Sequence, residues 1–115
     1  MSDGLTLVFH ALADPTRRSI LERLKRGEAT VQQLADPLPI SQPAVSKHLK
    51  VLEEAGLVHR RNEAQKRYAR LRLRPLQQAF GYISAFHRAW EERFALLDDL
   101  LDDLQQKEGH ARRRK

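Results

Sequence analysis

The chain has 115 residues, 41% of them hydrophobic, which suits a single folded domain with a modest core. It contains no cysteine, which excludes disulfides, thiolate metal sites and cysteine nucleophiles and fits a cytoplasmic protein. No apolar run reaches membrane-spanning length and the first residues do not resemble a signal peptide, so we expect no membrane segment. The net charge of +6 is unevenly placed: residues 41–74 hold nine Lys or Arg against three Glu, whereas residues 91–108 hold two basic and seven acidic residues. A localised basic segment is typical of a nucleic-acid interface.

The first forty residues predict three short helices. The almost wholly apolar stretch 5–12 is the first, and Asp14 caps a second that Gly27 ends. Thr30 caps a short third helix, and a connection stiffened by two prolines follows it and ends at Ile40. A helix, a short turn and a second helix with a basic front form the helix-turn-helix layout, in which the second helix reads the DNA groove.

Residues 41–58, S-Q-P-A-V-S-K-H-L-K-V-L-E-E-A-G-L-V, predict the second helix of that pair. Ser41 is its N-cap, and Gly56 ends it by adopting the left-handed conformation that other residues resist. Its apolar residues at helical spacing are Val45, Leu49 and Leu52. By itself the stretch fits both an ordinary amphipathic surface helix and a recognition helix for the DNA major groove, so the decision rests on the remainder of the chain.

Polar side chains on the front of this helix and in the segment after it are the candidates for DNA contact. Those expected to contact bases are Gln42, Ser46 and Lys47. Those expected to contact the DNA backbone are Ser41, Lys50, Arg60, Arg61, Lys66 and Arg67. His48 lies beside the apolar stripe, so packing or a single phosphate contact is favoured over base reading.

After Gly56 the apolar period changes from helical to two, which predicts a two-stranded hairpin with its turn at N-E-A-Q, residues 62–65. From Arg67 to Leu73, small or apolar residues alternate with Tyr and Arg. A basic hairpin beside a recognition helix is the wing of a winged helix, placed to touch the DNA backbone or the minor groove. A hairpin edge whose charges serve only solubility would explain each arginine singly, but it explains poorly why several basic residues cluster beside that helix.

Pro75 starts the last helix, whose apolar residues follow one another at alternating steps of four and three. This seam consists of Leu76, Phe80, Ile83, His87, Trp90, Phe94, Leu97, Leu101 and Leu104. It is a heptad pattern with one polar member, and at about 1.5 Å per residue the helix reaches roughly 45 Å, more than the domain's own core needs. The excess apolar surface predicts a homodimer. The expected interface residues are Ile83, His87, Trp90, Phe94, Leu97 and Leu101.

These elements predict a mainly α fold with a β-hairpin wing, that is, a winged helix-turn-helix with a long C-terminal dimerisation helix. Residues 1–108 are expected to form the single DNA-binding and dimerisation domain. Residues 109–115, which end in R-R-R-K, are expected to be a disordered basic tail.

Together these pieces resemble the arsenical-resistance-repressor (ArsR) family of bacterial winged-helix regulators. The matching segments are A-L-A-D-P-T-R-R-S-I-L at 11–21, T-V-Q-Q-L-A at 30–35 and the stretch 41–58. The resemblance covers roughly residues 5–104 and implies a dimeric repressor whose recognition helices enter successive major grooves of a palindromic operator. The helix before the turn lacks the cysteine pair of metal-sensing members, and W-E-E-R-F at 90–94 in the last helix looks more like the non-metal-sensing branch. We therefore expect no metal and no other cofactor.

Other functions fit parts of the sequence. His87 and Glu91 share a helix face, and two chains together would supply four zinc ligands to a metal-responsive repressor. A dimeric adaptor that kept the fold without the DNA activity is the main rival, and RNA binding is less favoured because few exposed aromatics are available for base stacking. An enzyme is not expected, since no nucleophile is placed beside a base and no Gly-rich phosphate loop occurs. The sequence does not identify the operator, the regulated gene or an effector.

Overall fold

The structure is a computed structural model that describes residues 3–113, with side chains described as far as residue 109. Five helices and three strands occur in this part of the chain. In order they are α1 (Gly4–Leu12), α2 (Pro15–Leu24), β1 (Ala29–Thr30), α3 (Val31–Ala35), α4 (Gln42–Glu54), β2 (Val58–Glu63), β3 (Lys66–Leu71) and α5 (Arg74–Arg113). The chain forms two compact units, the first ending at Phe80 and the second beginning at Gly81. None of the described helices is long and apolar enough to cross a bilayer.

Side-chain caps explain where the first four helices begin. In each case the side-chain oxygen of the preceding residue accepts a hydrogen bond from the backbone N–H three positions later; the caps are Asp3, Asp14, Thr30 and Ser41. Thr30 also donates its own N–H to the Gln33 side chain at 2.8 Å, which completes a capping box. The predicted starts at Asp14, Thr30 and Ser41 are confirmed, and α4 ends before Gly56, whose φ is 76°.

The sheet has the order β1-β3-β2, with both pairs antiparallel. The predicted hairpin is confirmed, and its turn is tighter than the sequence indicated, because Glu63 pairs with Lys66 and only Ala64 and Gln65 remain between the strands. Ala64 adopts a left-handed φ of 54°, which this short connection requires. β1 was not predicted, since two residues show no periodicity.

The core lies within the first unit, between α1–α4 and the inner face of the sheet. Val45, Leu49 and Leu52 of α4 are each 0% exposed, which confirms the buried stripe that the sequence predicted. Fully burying a side chain of this size stabilises the fold by about 1.5–3 kcal/mol. The apolar back of α4 is therefore anchored in the core, and its polar front faces solvent.

The end of β3 differs from the sequence-based prediction. The strand stops at Leu71 rather than Leu73, and the Leu73 side chain is 59% exposed. The N–H of Arg72 still donates to the carbonyl of Leu57 at 2.8 Å, one position beyond the last strand pair, Val58 with Leu71, and α5 then begins at Arg74.

The end of α5 differs as well. The helix continues to Arg113 and so enters the segment 109–115 that was expected to be disordered. The apolar seam stops at Leu104, but the residues that follow it are mostly Gln, Lys, Glu, Ala and Arg, which have good helix propensity. Residues 114 and 115 lie outside the described part of the chain.

Candidate nucleic-acid interface

The front of α4 presents the residues that were expected to contact DNA bases. Gln42, Ser46 and Lys50 follow one another at four-residue spacing, so they lie along one face of the helix. Gln42, Lys47 and Lys50 are exposed and Ser46 is half-buried. The hydroxyl of Ser41 accepts a hydrogen bond from the Ala44 N–H at 3.3 Å, so the cap serves the helix terminus.

A cleft of about 720 Å³ separates the start of α4 from the tip of the hairpin. It is lined by Thr30, Val31, Gln32, Gln33, Asp36, Gln42, Pro43, Ser46, Gln65, Lys66 and Arg67. Two of the expected base contacts, Gln42 and Ser46, thus share one concave surface with two of the expected phosphate contacts, Lys66 and Arg67. These residues are far apart in sequence. The pairing of Thr30 on β1 with Tyr68 on β3 places the wing beside α3, and α3 contacts α4.

The cations of the hairpin are not equivalent. Lys66 and Arg67 are exposed, and neither is ion-paired to a carboxylate within the described residues. Arg60 lies on β2 opposite Ala69 and is half-buried. The charges of Lys66 and Arg67 therefore remain available for an anionic partner, as a phosphate-binding wing requires.

Arg61 is arranged differently. Its Nε and Nη2 donate to the two carboxylate oxygens of Glu28 at 3.0 and 2.6 Å, and its Nη1 donates to Glu63 at 2.7 Å. The side-chain hydrogen bond from Arg61 is the main reason that the pKa of Glu28 lies below its ordinary value, and the pKa of Arg61 is raised by the same carboxylates. From the sequence, Arg61 was expected to contact phosphates. Its pairing with Glu28 depends on a strand too short to leave a sequence signal.

A second polar cluster ties α4 to the helices before it. Arg17 donates from Nε to the carbonyl of Ala11 at 2.8 Å and from Nη2 to the carbonyl of His10 at 2.9 Å, so it satisfies carbonyls at the end of α1. Its Nη1 lies 3.5 Å from Nδ1 of His48, which is also 3.8 Å from the carboxylate of Asp14. His48 is thus half-buried against the earlier helices, which is compatible with the packing role, and the phosphate contact stays a prediction.

The second unit carries the residues expected to form the dimer interface. All of them are exposed in the single chain: Ile83, His87, Trp90, Phe94, Leu97 and Leu101. The Trp90 and Phe94 rings contact each other edge to face at 4.8 Å, and flanking side chains such as Phe86 and Leu100 widen the apolar surface. An apolar stripe of this length on one helix face is typical of a protein–protein interface.

The histidine of the seam already has a partner on its own helix. Nε2 of His87 lies 2.9 Å from the carboxylate of Glu91. Within the described residues, no group of three or more His, Cys, Asp or Glu side chains is placed to hold a metal ion. A zinc site would therefore need ligands from a second chain, as the metal-responsive alternative supposes.

This chain is similar to known DNA-binding proteins in both sequence and structure. A family model described as a helix-turn-helix domain matches residues 12–61, which include α2 to α4 and the start of the hairpin. A crystal structure of an ArsR family transcriptional regulator superposes with a TM-score of 0.73 and 35% identity, covering 77% of this chain and 98% of that one. An ArsR-like transcriptional regulator from Rhodococcus sp. RHA1 superposes with a TM-score of 0.69 and 31% identity, covering 84% of this chain and 92% of that one. The fold is that of a winged helix-turn-helix DNA-binding protein.

Curated relatives agree with this class. The chain is 37% identical over 79 residues to the transcriptional repressor SdpR of Bacillus subtilis, covering 69% of this chain and 88% of the relative. It is 52% identical over 63 residues to the HTH-type transcriptional regulator Rv2034 of Mycobacterium tuberculosis, covering 55% of this chain but only 59% of the relative. The chain belongs to the ArsR family of DNA-binding transcriptional regulators, which is not a family of enzymes.

Proposed function

We propose that this protein is a sequence-specific repressor that acts in the cytoplasm as a homodimer and inserts α4 into the DNA major groove. The cleft between α4 and the hairpin is the observation that carries this proposal. It joins the amide and hydroxyl groups of Gln42 and Ser46 to the cations of Lys66 and Arg67 on one surface. A groove-reading helix flanked by a cationic wing combines base contact with backbone contact, which specific binding requires.

The residues of α4 and the hairpin divide into those that contact bases and those that contact phosphates. Gln42, Ser46 and Lys47 contact base edges, with Gln42 suited to adenine because its amide both donates and accepts. Phosphates are contacted by the backbone set: Ser41, Lys50, Arg60, Lys66 and Arg67.

The dimer follows from the apolar seam of α5. Side chains such as Trp90 and Leu97 are exposed in the single chain, and pairing two copies of the seam would bury them. Two copies of α4 held about 34 Å apart would enter major grooves one DNA turn apart and read a palindromic site. Occupying such a site blocks polymerase, which is the basis of the proposed repression.

The test begins with selection of duplexes from a randomised DNA pool by the wild-type protein. Fluorescence anisotropy on the selected duplex and on a scrambled one then gives both affinities across a salt series. We expect a clear preference for the selected duplex and a log affinity that falls linearly and steeply with log salt. Failure to enrich any sequence, with a flat salt response, would favour the adaptor alternative.

A single substitution separates base contact from general charge. Lys47→Ala is expected to weaken binding to the selected duplex by about 1–3 kcal/mol and to weaken scrambled binding less. Lys25→Ala is the matched control, because Lys25 is an exposed lysine that is paired with Glu22 on α2. Equal losses on both duplexes would remove Lys47 from the set of base contacts.

A further inference from the structure

The Arg61 side chain spans the width of the three-stranded sheet. Arg61 on the edge strand β2 pairs in register with Tyr68 on the central strand β3, and Tyr68 pairs with Thr30 on β1. The guanidinium lies 4.3 Å from the centre of the Tyr68 ring, which places it over the central strand. It ends at the carboxylate of Glu28, immediately before β1. One side chain thus joins the outer strand of the wing to the segment that precedes the opposite edge of the sheet.

The contacts of this side chain leave little for a phosphate. The fork formed by Nε and Nη2 is taken up by both oxygens of Glu28, and Nη1 is taken up by Glu63. Two carboxylates thus surround this one guanidinium. A DNA phosphate that approached Arg61 would meet these carboxylates as well, whereas Lys66 and Arg67 at the cleft have no such neighbours among the described ion pairs.

The position of Glu28 shows what this connection holds together. Glu28 is followed by the two residues of β1, and the second of them, Thr30, is the cap of α3. α3 is the helix before the turn in the helix-turn-helix and lines the same cleft as α4 and the wing tip. With only two residues, β1 has a short ladder to hold the wing against this helix, so the bidentate pair adds a second attachment.

We propose that Arg61 is a positioning residue, which fixes the wing to the start of the helix-turn-helix through Glu28 and does not itself contact DNA. This role rests on the proposed function. The wing carries Lys66 and Arg67, and phosphate contacts set the register of a protein on the duplex. Loosening the wing therefore weakens binding to the selected duplex even though no phosphate contact is removed.

Two conservative variants separate positioning from phosphate contact, because the two roles predict opposite results. Glu28→Gln removes the carboxylate: a positioning role predicts about tenfold weaker binding to the selected duplex, whereas a phosphate contact would be freed and binding would tighten. Arg61→Lys keeps the charge but loses the planar fork. A positioning role predicts a loss similar to that of Glu28→Gln, whereas a phosphate contact predicts affinity close to the wild type.

The salt series supplies an independent readout. Arg67→Gln is the matched control. It removes one phosphate contact from each protomer of the dimer, so log affinity should fall less steeply with log salt, by about 1.8 in slope, or about 0.9 for each phosphate. Arg61→Lys and Glu28→Gln are expected to leave that slope unchanged. The Arg61 Nε–H hydrogen, observed by NMR, should exchange slowly with solvent in the wild type and faster in Glu28→Gln. Circular dichroism checks that each variant is folded.

Specific outcomes overturn the positioning role. Tighter binding by Glu28→Gln, wild-type affinity in Arg61→Lys, or a reduced salt slope in Glu28→Gln would each do so while leaving the proposed function intact. If the wild type itself selects no sequence from the random pool, the proposed function falls and the positioning role falls with it. The two failures are therefore distinguishable.

Discussion

Replacing Trp90 with alanine tests the dimer through its largest exposed side chain. Trp90 is 58% exposed in the single chain. A tryptophan side chain offers about 250 Å² at most, so about 140 Å² remains for a partner to cover. At about 25 cal/mol per Å² this corresponds to an upper limit of about 3.5 kcal/mol per protomer. An alanine side chain still buries part of this area, and only part of the area-based free energy appears as binding free energy. We therefore expect the dimer to lose about 3 kcal/mol of association free energy.

That loss corresponds to a roughly hundredfold increase in the dimer Kd. Sedimentation velocity over a concentration series measures it directly in wild type and variant. Glu92→Ala is the control, because Glu92 lies two positions further along the helix, on the face opposite the heptad seam. A Trp90→Ala dimer whose Kd stays within threefold of the wild type would refute the assignment of this face. Equal weakening by Glu92→Ala would show that the effect is not specific to the seam.

Three further predictions concern stability. Leu49→Ala empties a site that is 0% exposed and should lower the free energy of unfolding by about 2–5 kcal/mol in urea titration; a negligible change would mean that the site collapses without cost. Gly56→Ala puts a Cβ 3.2 Å from Cγ of Pro75 at a φ of 76°, so Tm should fall by an amount that corresponds to about 1–2 kcal/mol, and an unchanged Tm would contradict this strain. The pKa of Glu28 lies below its ordinary value of 4.5, chiefly because of its hydrogen bond with Arg61. Its stabilising contribution is therefore present above that value and is lost as the pH falls through the lower folded-state pKa. Urea unfolding of the wild type between about pH 6 and about pH 3 should lose stability more steeply than that of Glu28→Gln, and parallel curves would refute this.

The two polar clusters of the first unit have different consequences for DNA binding. Arg17 and Arg18 satisfy carbonyls at the end of α1, so their charges serve the fold. Arg61 is likewise occupied by carboxylates, whereas Lys66 and Arg67 face the cleft. The basic composition of residues 41–74 therefore overstates the number of cations available to phosphates.

Local signals in the sequence were sufficient for the helices and the hairpin. Caps at Asp14, Thr30 and Ser41 and the left-handed Gly56 set boundaries through hydrogen bonds and backbone sterics that act within a few residues. The alternation after Gly56 likewise predicted paired strands. Two ends differ from the sequence-based prediction: β3 stops at Leu71 and not at Leu73, and α5 continues past its apolar seam into residues of good helix propensity.

What the sequence determined by itself was the order of the elements, the buried back of α4 and the apolar seam of α5, because each depends on spacing along the chain. Only the tertiary structure decided which polar groups meet. The pairing of β1 with β3 places Glu28 within reach of Arg61, 33 residues away in sequence, and packing of α4 on the earlier helices brings His48 to Arg17. Such contacts depend on the three-dimensional arrangement of short elements, and a periodic pattern in one dimension carries no information about them.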